Sequence, residues 1–314
     1  MAEITSFFAQ SPHPDQLKFA PPDCNVSFQP AMASNIHQAD PYSASDDEIP
    51  TIDYSLLFSH DPTQQFHALE NLRHACQEYG FFYLVNHTIP DELLDNVLKG
   101  FSDFVDPTTI DERKVCRKNG PLDKIRWDLN SSEGENREYL KLVAHPHFHA
   151  PPNSREFSKF SKEYNKAMRV VVGGLARAVS KTLGLEENYI EKAFDLKSGF
   201  DVMAMNLYPP NSRSRGSIGL PEHTDPGFVV TLVQDIDGGL QILSHHGKWI
   251  NVYIPCHAIL IQLGDHLEVQ RISVVTLHGP SQDKYRGMTY KESLVANGGD
   301  EIDVQSSIQQ LRLV

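Results

Sequence analysis

The sequence predicts an α+β fold, mainly β, in which helices come first and a jelly-roll core follows. Two observations lead to this prediction. Before residue 184, apolar residues recur every three or four positions, which indicates amphipathic helices. After residue 198, short β-rich runs are separated by Gly, Pro and Asp, a texture typical of an antiparallel barrel or double-sheet jelly roll.

Each predicted element has its own sequence signal. Apolar positions from Phe66 to Tyr79 predict a helix over 64–80, and Gly80 ends it. The aromatic and β-branched run 81–85 predicts a buried strand, and Pro90 suits the first turn of the next helix. A polar stretch around 106–140 separates this region from a long helix over 154–184. Strands are predicted at 201–208, 228–234, 239–243, 248–252, 258–263 and 271–277.

The 314 residues suit one large domain or two small ones. Residues 1–48 lack a sustained period and are predicted to form an extended N-terminal arm, ordered where Phe7, Phe8 and Phe28 dock. Residues 49–198 form the predicted helical and mixed region. Residues 199–314 form the predicted jelly-roll core and the C-terminal tail.

Charge and cysteine usage limit the function classes. Acidic residues outnumber basic ones by 41 to 28, and a net charge of −13 disfavours nucleic-acid and membrane-surface partners. The four cysteines are far apart, as in a protein with reduced thiols, and the N-terminus lacks the basic and apolar regions of a signal peptide. The sequence therefore predicts a cytoplasmic protein.

The sharpest chemical motif is His223-Thr-Asp225. On an extended segment, residues two apart project to the same side, so an imidazole and a carboxylate would meet. Together with one distant histidine they would form the two-His-one-carboxylate triad of non-haem Fe(II) sites. Alone the motif is weak, because a His near an Asp on a loop is far more often an ion pair or a turn cap.

The ordered set of motifs resembles the plant-type Fe(II)/2-oxoglutarate-dependent dioxygenases of the isopenicillin-N-synthase-like superfamily. The resemblance extends from about residue 49 to the C-terminus and includes the segments ACQEYGFFYLVNH at 75–87 and GDHLE at 264–268. It implies a double-stranded β-helix core with iron held by His223 and Asp225. It also implies Fe(II), 2-oxoglutarate and O₂ as cofactor and cosubstrates, with no catalytic side chain beyond the metal centre.

The resemblance further implies a cosubstrate site. Arg271 and Ser273 would bind the distal carboxylate of 2-oxoglutarate, Tyr208 would offer its phenol to the same molecule, and Asn206 would line the site. A planar guanidinium matches a carboxylate with two hydrogen bonds. The substrate implied is a small, apolar or aromatic specialised metabolite, and an apolar pocket above the metal would have Phe228 in its wall.

One departure from the family concerns the third iron ligand. Relatives carry the distal histidine on a strand between the GDxLE block and the Arg-x-Ser strand, yet here only two residues separate Glu268 from Arg271. The sequence therefore predicts an internal deletion of one or two core strands and weak iron binding. His278 is the alternative ligand. We disfavour it because residues 274–280 match the strand that follows Arg-x-Ser in relatives.

Two functions stay open at this point. The first is an oxygenase that hydroxylates, demethylates or desaturates a small metabolite. The alternative is a catalytically impaired splice or gene-model variant, or a pseudoenzyme that binds small molecules or partners without turnover.

Overall fold

The fold is built on an eight-stranded sheet that the helices cover on one face, with a separate two-stranded ribbon. The computed structural model describes residues 2–9, 48–120, 123–131, 136–208, 219–220, 222–223, 225, 227–235, 239–244, 247–264 and 267. In the large sheet the strand order is β2-β3-β10-β7-β1-β6-β5-β4, and β8 pairs with β9 in the ribbon. Only β2 and β3 pair in parallel among these described strands. This arrangement confirms the α+β prediction.

The described strands are short and the helices vary widely in length. The strands are β1 Ala2–Ala9, β2 Thr51–Asp53, β3 Phe81–Val85, β4 Ile125–Ser131, β5 Asn136–His145, β6 Phe200–Leu207, β7 Val229–Gln234, β8 Gln241–Leu243, β9 Trp249–Asn251 and β10 Ile259–Leu263. The helices are α1 Pro62–His74, α2 Asp91–Phe104, α3 Ile110–Arg113, α4 Arg155–Thr182 and α5 Tyr189–Ala193.

Local chemistry explains where the first helix begins and ends. The Asp61 carboxylate accepts hydrogen bonds from the backbone N–H groups of Thr63 and Gln64, which caps the N-terminus of α1. After His74 the chain continues as a π-helical turn over Ala75–Tyr79. Gly80 then adopts a φ of 78°, a conformation that favours glycine, and β3 follows at once. The predicted helix end and strand start are both confirmed.

The N-terminal strand β1 lies in the middle of the large sheet. It pairs antiparallel with β6, where Ile4 lies opposite Met205, and antiparallel with β7, where Ile4 lies opposite Val233. The Ile4 side chain is fully buried in the main hydrophobic cluster. The sequence predicted an extended arm over 1–48 and not this strand. Residues 10–47 of the predicted arm, with Phe28, lie outside the described residues.

The hairpin of β4 and β5 is the second element that the sequence analysis did not predict, because the stretch 106–140 appeared polar throughout. The alternation of apolar and polar side chains along β4 explains why this stretch appeared polar. Ile125, Trp127 and Leu129 alternate with Arg126 and the polar residues that follow it, so the two faces of the hairpin differ sharply. One face packs Trp127, Leu140 and Leu142 into the main hydrophobic cluster, whereas the other carries Arg126, Arg137 and Lys141.

The main hydrophobic cluster lies between the sheet and the helices. It joins Leu72 of α1, Phe101 of α2 and Leu175 of α4 to Leu140 and Met203 of the sheet. The long helix α4 occupies most of the predicted 154–184 segment and buries an apolar stripe from Phe157 to Val179. No helix within the described residues is long and apolar enough to cross a bilayer.

Candidate metal and cosubstrate site

The strongest candidate site is the pair His223 and Asp225. The Nε2 atom of His223 is 3.7 Å from Oδ1 of Asp225, and the two side chains are only 7% and 1% exposed. Two ligand atoms that each lie about 2.1 Å from one metal ion are about 3–4 Å apart, depending on the angle at the metal. A neutral nitrogen and a carboxylate oxygen at this separation therefore fit a single Fe(II) ion.

A close backbone approach holds this pair in place. Gly227, two residues after Asp225, has a φ of 112°, and the N–H of Gly264 at the end of β10 donates to the Phe228 carbonyl at 3.0 Å. A Cβ atom built on Gly264 would lie 2.3 Å from the Gly227 carbonyl oxygen. Only glycine at 264 allows this contact, which packs the loop after Asp225 onto β10.

The segment before His223 is hydrogen-bonded to β5 and belongs to the same hydrophobic cluster as Tyr208. The N–H of Asn136, the first residue of β5, donates to the Gly219 carbonyl at 2.9 Å. Leu220 and Tyr208 are both buried in a second hydrophobic cluster inside the sheet. Tyr208, which the sequence analysis assigns to the cosubstrate, is thus packed in the same cluster as the chain that leads to the metal pair.

Asn206 is held by a buried arginine that the sequence analysis did not single out. The Arg137 guanidinium donates from Nη1 to Oδ1 of Asn206 at 2.6 Å, and both side chains are buried. Arg137 also lies over the ring of Tyr139, 4.7 Å from its centroid. This contact fixes the orientation of the Asn206 amide.

Arg137 belongs to a group of cations on one face of the sheet. We call this the site face: the residues of β4, β5 and β6 that alternate in register with Asn206. Its described members are Arg126, Asp128, Asn130, Arg137, Tyr139, Lys141, Val143, Val202 and Ala204, with Asn206 itself. Arg126, Arg137 and Lys141 are 2%, 1% and 0% exposed. They are therefore as buried as the candidate metal pair.

The opposite side of these strands carries a different charge arrangement. We call it the helix face, comprising Trp127, Glu138, Leu140, Leu142, Met203 and Met205. Here Glu138 accepts a hydrogen bond from Nε1 of Trp127 at 2.7 Å and forms a 2.7 Å ion pair with Arg113. Arg113 also donates to the carbonyls of Phe104 and Asp106. This buried cation and carboxylate therefore form an ion pair inside the fold.

Tyr83 of β3 packs in the same cluster as Tyr208. Its hydroxyl accepts a hydrogen bond from the N–H of Tyr253 at 3.1 Å. Burial outweighs that hydrogen bond and raises the pKa of Tyr83 to about 12. The phenol therefore stays protonated at physiological pH.

Arg271, Ser273 and His278 lie outside the described residues, as do the predicted strand 271–277 and the junction after Glu268 where the deletion is predicted. Within the described part of the chain, no group of three or more His, Cys, Asp or Glu side chains is arranged to hold a metal ion.

The expectation that Phe228 forms the wall of a substrate pocket above the metal was wrong. Its ring lies 5.3 Å from the ring of Phe194. Both side chains are buried in the cluster between the sheet and the helices. Phe228 therefore contributes to the core rather than to an open pocket.

Comparison with known proteins agrees with this geometry. Residues 49–168 match the family described as non-haem dioxygenase in morphine synthesis, N-terminal, and residues 199–277 match the 2OG-Fe(II) oxygenase superfamily. The 2-oxoglutarate-dependent dioxygenase 19 of Oryza sativa subsp. japonica is 25% identical, and the match covers 85% of this chain and 90% of that protein. The 1-aminocyclopropane-1-carboxylate oxidase 5 of Arabidopsis thaliana is 32% identical, with coverage of 70% and 73%.

Solved structures show the same fold. JOX2 in complex with 2OG, Fe and JA superposes with a TM-score of 0.60 at 25% identity, covering 72% of this chain and 67% of that chain. A putative 2OG-Fe(II) oxygenase family protein from Caulobacter crescentus gives a TM-score of 0.61 at 20% identity, with coverage of 73% and 78%. The jelly-roll prediction is confirmed, and the chain belongs to the 2OG-Fe(II) oxygenase superfamily, whose members use Fe(II), 2-oxoglutarate and O₂.

Proposed function

We propose that this chain is an Fe(II)- and 2-oxoglutarate-dependent oxygenase of a small specialised metabolite. The observation that carries the proposal is the buried pair of His223 Nε2 and Asp225 Oδ1, 3.7 Å apart, inside a region that matches the oxygenase superfamily. Two of the relatives are named 2-oxoglutarate-dependent dioxygenase 19 and flavanone 3-dioxygenase 3. These names favour an enzyme over a binding protein without turnover.

In this proposal His223 and Asp225 hold the metal. The Asp225 carboxylate contributes a negative charge in an interior where a cation would otherwise be costly to bury. Burial of the pair keeps bulk water from competing for the metal. The Gly227–Gly264 contact supports the role, because it fixes the backbone directly after Asp225.

The cosubstrate would be bound by four residues. We assign its distal carboxylate to Arg271 and Ser273 and place Tyr208 and Asn206 along its length. The buried hydrogen bond from Arg137 supports the role of Asn206, since it holds the amide still. The burial of Tyr208 in the cluster with Leu220 keeps its phenol near the segment that leads to His223.

The bound metal would supply redox chemistry: 2-oxoglutarate is oxidised to succinate and CO₂, one oxygen atom of O₂ enters succinate, and the substrate is oxidised by two electrons. The outcome is hydroxylation, demethylation or desaturation. The protein residues bind and orient the reactants, and none of them has to act as a general base. An apolar or aromatic substrate and a cytoplasmic location remain predictions from the sequence.

The internal deletion stays part of the proposal. If the strand with the distal histidine is missing, two protein ligands hold the metal instead of three. We therefore expect weaker metal binding and slower turnover than in an intact relative. His278 would be the ligand to test first if metal binding proves tight.

The test is formation of succinate by the full chain supplied with Fe(II), 2-oxoglutarate and O₂. We expect slow succinate formation that His223→Ala reduces to the metal-free background. His60→Ala is the matched control, because His60 is exposed and distant in sequence from the pair. Succinate formation equal in wild type and His223→Ala would contradict the assignment.

A further inference from the structure

A cavity of about 460 Å³ lies among α2, α3 and the start of α4. Its volume falls within the range of cavities that hold small organic ligands. Three segments form its wall: the C-terminal half of α2, the turns from Thr109 to Cys116, and the chain 151–160 that leads into α4. The proposed oxygenase reaction uses none of these residues.

Aromatic rings and a thiol form the apolar part of the wall. The rings of Phe104 and Phe157 are stacked, with centroids 5.5 Å apart, and Phe160 follows on α4. Cys116 is buried, and burial raises the pKa of its thiol, so the sulfur stays neutral at physiological pH. At Gly100 an added Cβ atom would lie 3.0 Å from Cδ2 of Phe157, so glycine leaves room beside that ring. This part of the wall suits an aromatic ligand.

Arg113 contributes a hydrogen-bond donor to the same wall. Its side chain is only 2% exposed. Nη1 donates to the carbonyls of Phe104 and Asp106, and Nε lies 2.7 Å from the Glu138 carboxylate. Glu138 therefore balances the charge, whereas Nη2 has no acceptor among the described residues. A carbonyl or hydroxyl oxygen of a ligand in the cavity would supply that acceptor.

The charges around the cavity do not favour an anionic ligand. Lys99 is paired with Asp103 at 2.5 Å. Apart from Arg113, the remaining cation in the described wall is Arg155, which stands against the carboxylates of Glu112 and Glu156. Glu156 already lies in the first turn of α4, where a negative charge is favourable. The oxygen that meets Arg113 therefore belongs to an uncharged group.

The cavity is separate from the candidate cosubstrate site. Phe104, Cys116 and Phe157 belong to the main hydrophobic cluster between the sheet and the helices, whereas Tyr208 and Leu220 belong to the second cluster. The wall also joins the sheet through Glu138, which lies on the helix face. A molecule in this cavity is therefore not positioned to react at the metal pair.

From these contacts we propose that the cavity binds an uncharged aromatic compound of roughly two fused rings that carries a carbonyl or hydroxyl oxygen. The rings lie against Phe104, Phe157 and Phe160, and the oxygen accepts a hydrogen bond from Nη2 of Arg113. This molecule is a second ligand of the protein, in addition to the reactants of the proposed oxygenase. Its binding requires neither iron nor 2-oxoglutarate.

The test uses two probes of nearly equal shape and different charge, 1-acetonaphthone and 1-naphthoate. Calorimetric titration of the full chain, without iron, should show 1-acetonaphthone binding at sub-millimolar concentration. 1-Naphthoate should bind about tenfold more weakly, because its charge would be buried without a cation of its own.

A variant of the wall tests where the probe binds. Phe160→Ala should weaken 1-acetonaphthone binding about fivefold, because one ring of the wall is lost. Phe160 is half-buried and outside the hydrophobic clusters of the described residues, so this variant should fold. Phe66→Ala is the matched control: Phe66 is 61% exposed on α1 and does not line the cavity, so binding should be unchanged.

Alkylation of cysteines by iodoacetamide locates the bound probe without any variant. Saturating 1-acetonaphthone should slow the alkylation of Cys116 about threefold or more, because the ligand blocks access to this thiol. The exposed thiol of Cys256 should keep its rate. Mass spectrometry of the labelled protein measures both rates.

Two results would overturn the proposal. The first is 1-naphthoate binding as tightly as 1-acetonaphthone, or binding of neither probe. The second is binding that Phe160→Ala leaves unchanged while Cys116 is not protected, which would place the probe in another site. Succinate formation tests the proposed function separately, so failure of either proposal leaves the other intact.

Discussion

The two faces of the β4–β6 sheet use buried charge in different ways. On the helix face, the Glu138 carboxylate receives both the Arg113 guanidinium and the indole N–H of Trp127. On the site face, the Arg137 guanidinium donates to Oδ1 of Asn206 and lies over the Tyr139 ring. The first arrangement is a closed structural network. The second connects the buried Arg137 to Asn206 beside the candidate site.

The most direct way to break this comparison is to remove one partner of a buried arginine on each face, Glu138 for Arg113 and Asn206 for Arg137. We expect Glu138→Ala to lower the free energy of unfolding by about 3–5 kcal/mol, because it leaves the Arg113 cation buried without its carboxylate. Asn206→Ala should lower it by only about 1–2 kcal/mol, because it removes one hydrogen bond that Arg137 donates. Denaturant unfolding of the two variants measures both values.

Equal losses of unfolding free energy in the two variants would contradict the difference between the two faces. A loss of more than about 3 kcal/mol for Asn206→Ala would indicate that the site face is as closed a network as the helix face.

A second prediction tests whether β1 completes the helix face of the sheet. Ile4 is fully buried and lies between Met205 of β6 and Val233 of β7. Ile4→Ala should therefore cost about 2–4 kcal/mol of unfolding free energy through lost contacts and a residual cavity. Val170→Ala is the control, because Val170 is exposed on α4 and should cost less than about 0.5 kcal/mol. Similar small values for both variants would place β1 outside the core.

The third prediction concerns the buried ion pair of Asp201 and Arg169, in which the attraction between the charges does not offset the cost of burying the carboxylate. Asp201 of β6 forms an ion pair with Arg169 of α4, yet burial raises the pKa of Asp201 to about 6 because desolvation outweighs the attraction of Arg169. The folded state thus binds a proton more tightly than the unfolded chain. The stabilising contribution is fully present below about pH 4 and is lost as the pH rises through about 6.

The unfolding free energies of wild type and Asp201→Asn should therefore diverge with pH. On going from about pH 7.5 to about pH 5, wild type should gain about 1 kcal/mol relative to the variant. Other carboxylates contribute equally to both proteins, so the difference isolates Asp201. A difference that does not vary between these pH values would contradict the raised pKa.

Sequence reasoning succeeded where the signal was local. The end of the first helix at Gly80, the strand β3 and most of β6 to β10 follow from short-range patterns, and each lies within a residue or two of its prediction. The pair His223 and Asp225 could be predicted for the same reason, because residues two apart on an extended segment meet without help from the rest of the fold.

The parts that were not predicted depend on how strands pair, not on the pattern within one segment. The β4–β5 hairpin appeared as a polar loop because its site face is charged, and only the pairing of Arg126 with Lys141 brings those charges together. The strand β1 is specified by its neighbours β6 and β7, which lie far away along the chain. Its own short segment carries no signal that separates it from an extended arm.

The central claim is that His223 and Asp225 hold Fe(II) beside bound 2-oxoglutarate. Anaerobic titration of the full chain with Fe(II) and 2-oxoglutarate tests it most directly, because a 2-oxoglutarate molecule chelated to protein-bound Fe(II) gives a visible charge-transfer absorption band. We expect a band that saturates at millimolar ligand in wild type and in His60→Ala, and that is lost in Asp225→Ala. No band in wild type at millimolar ligand, or an undiminished band in Asp225→Ala, would contradict the account.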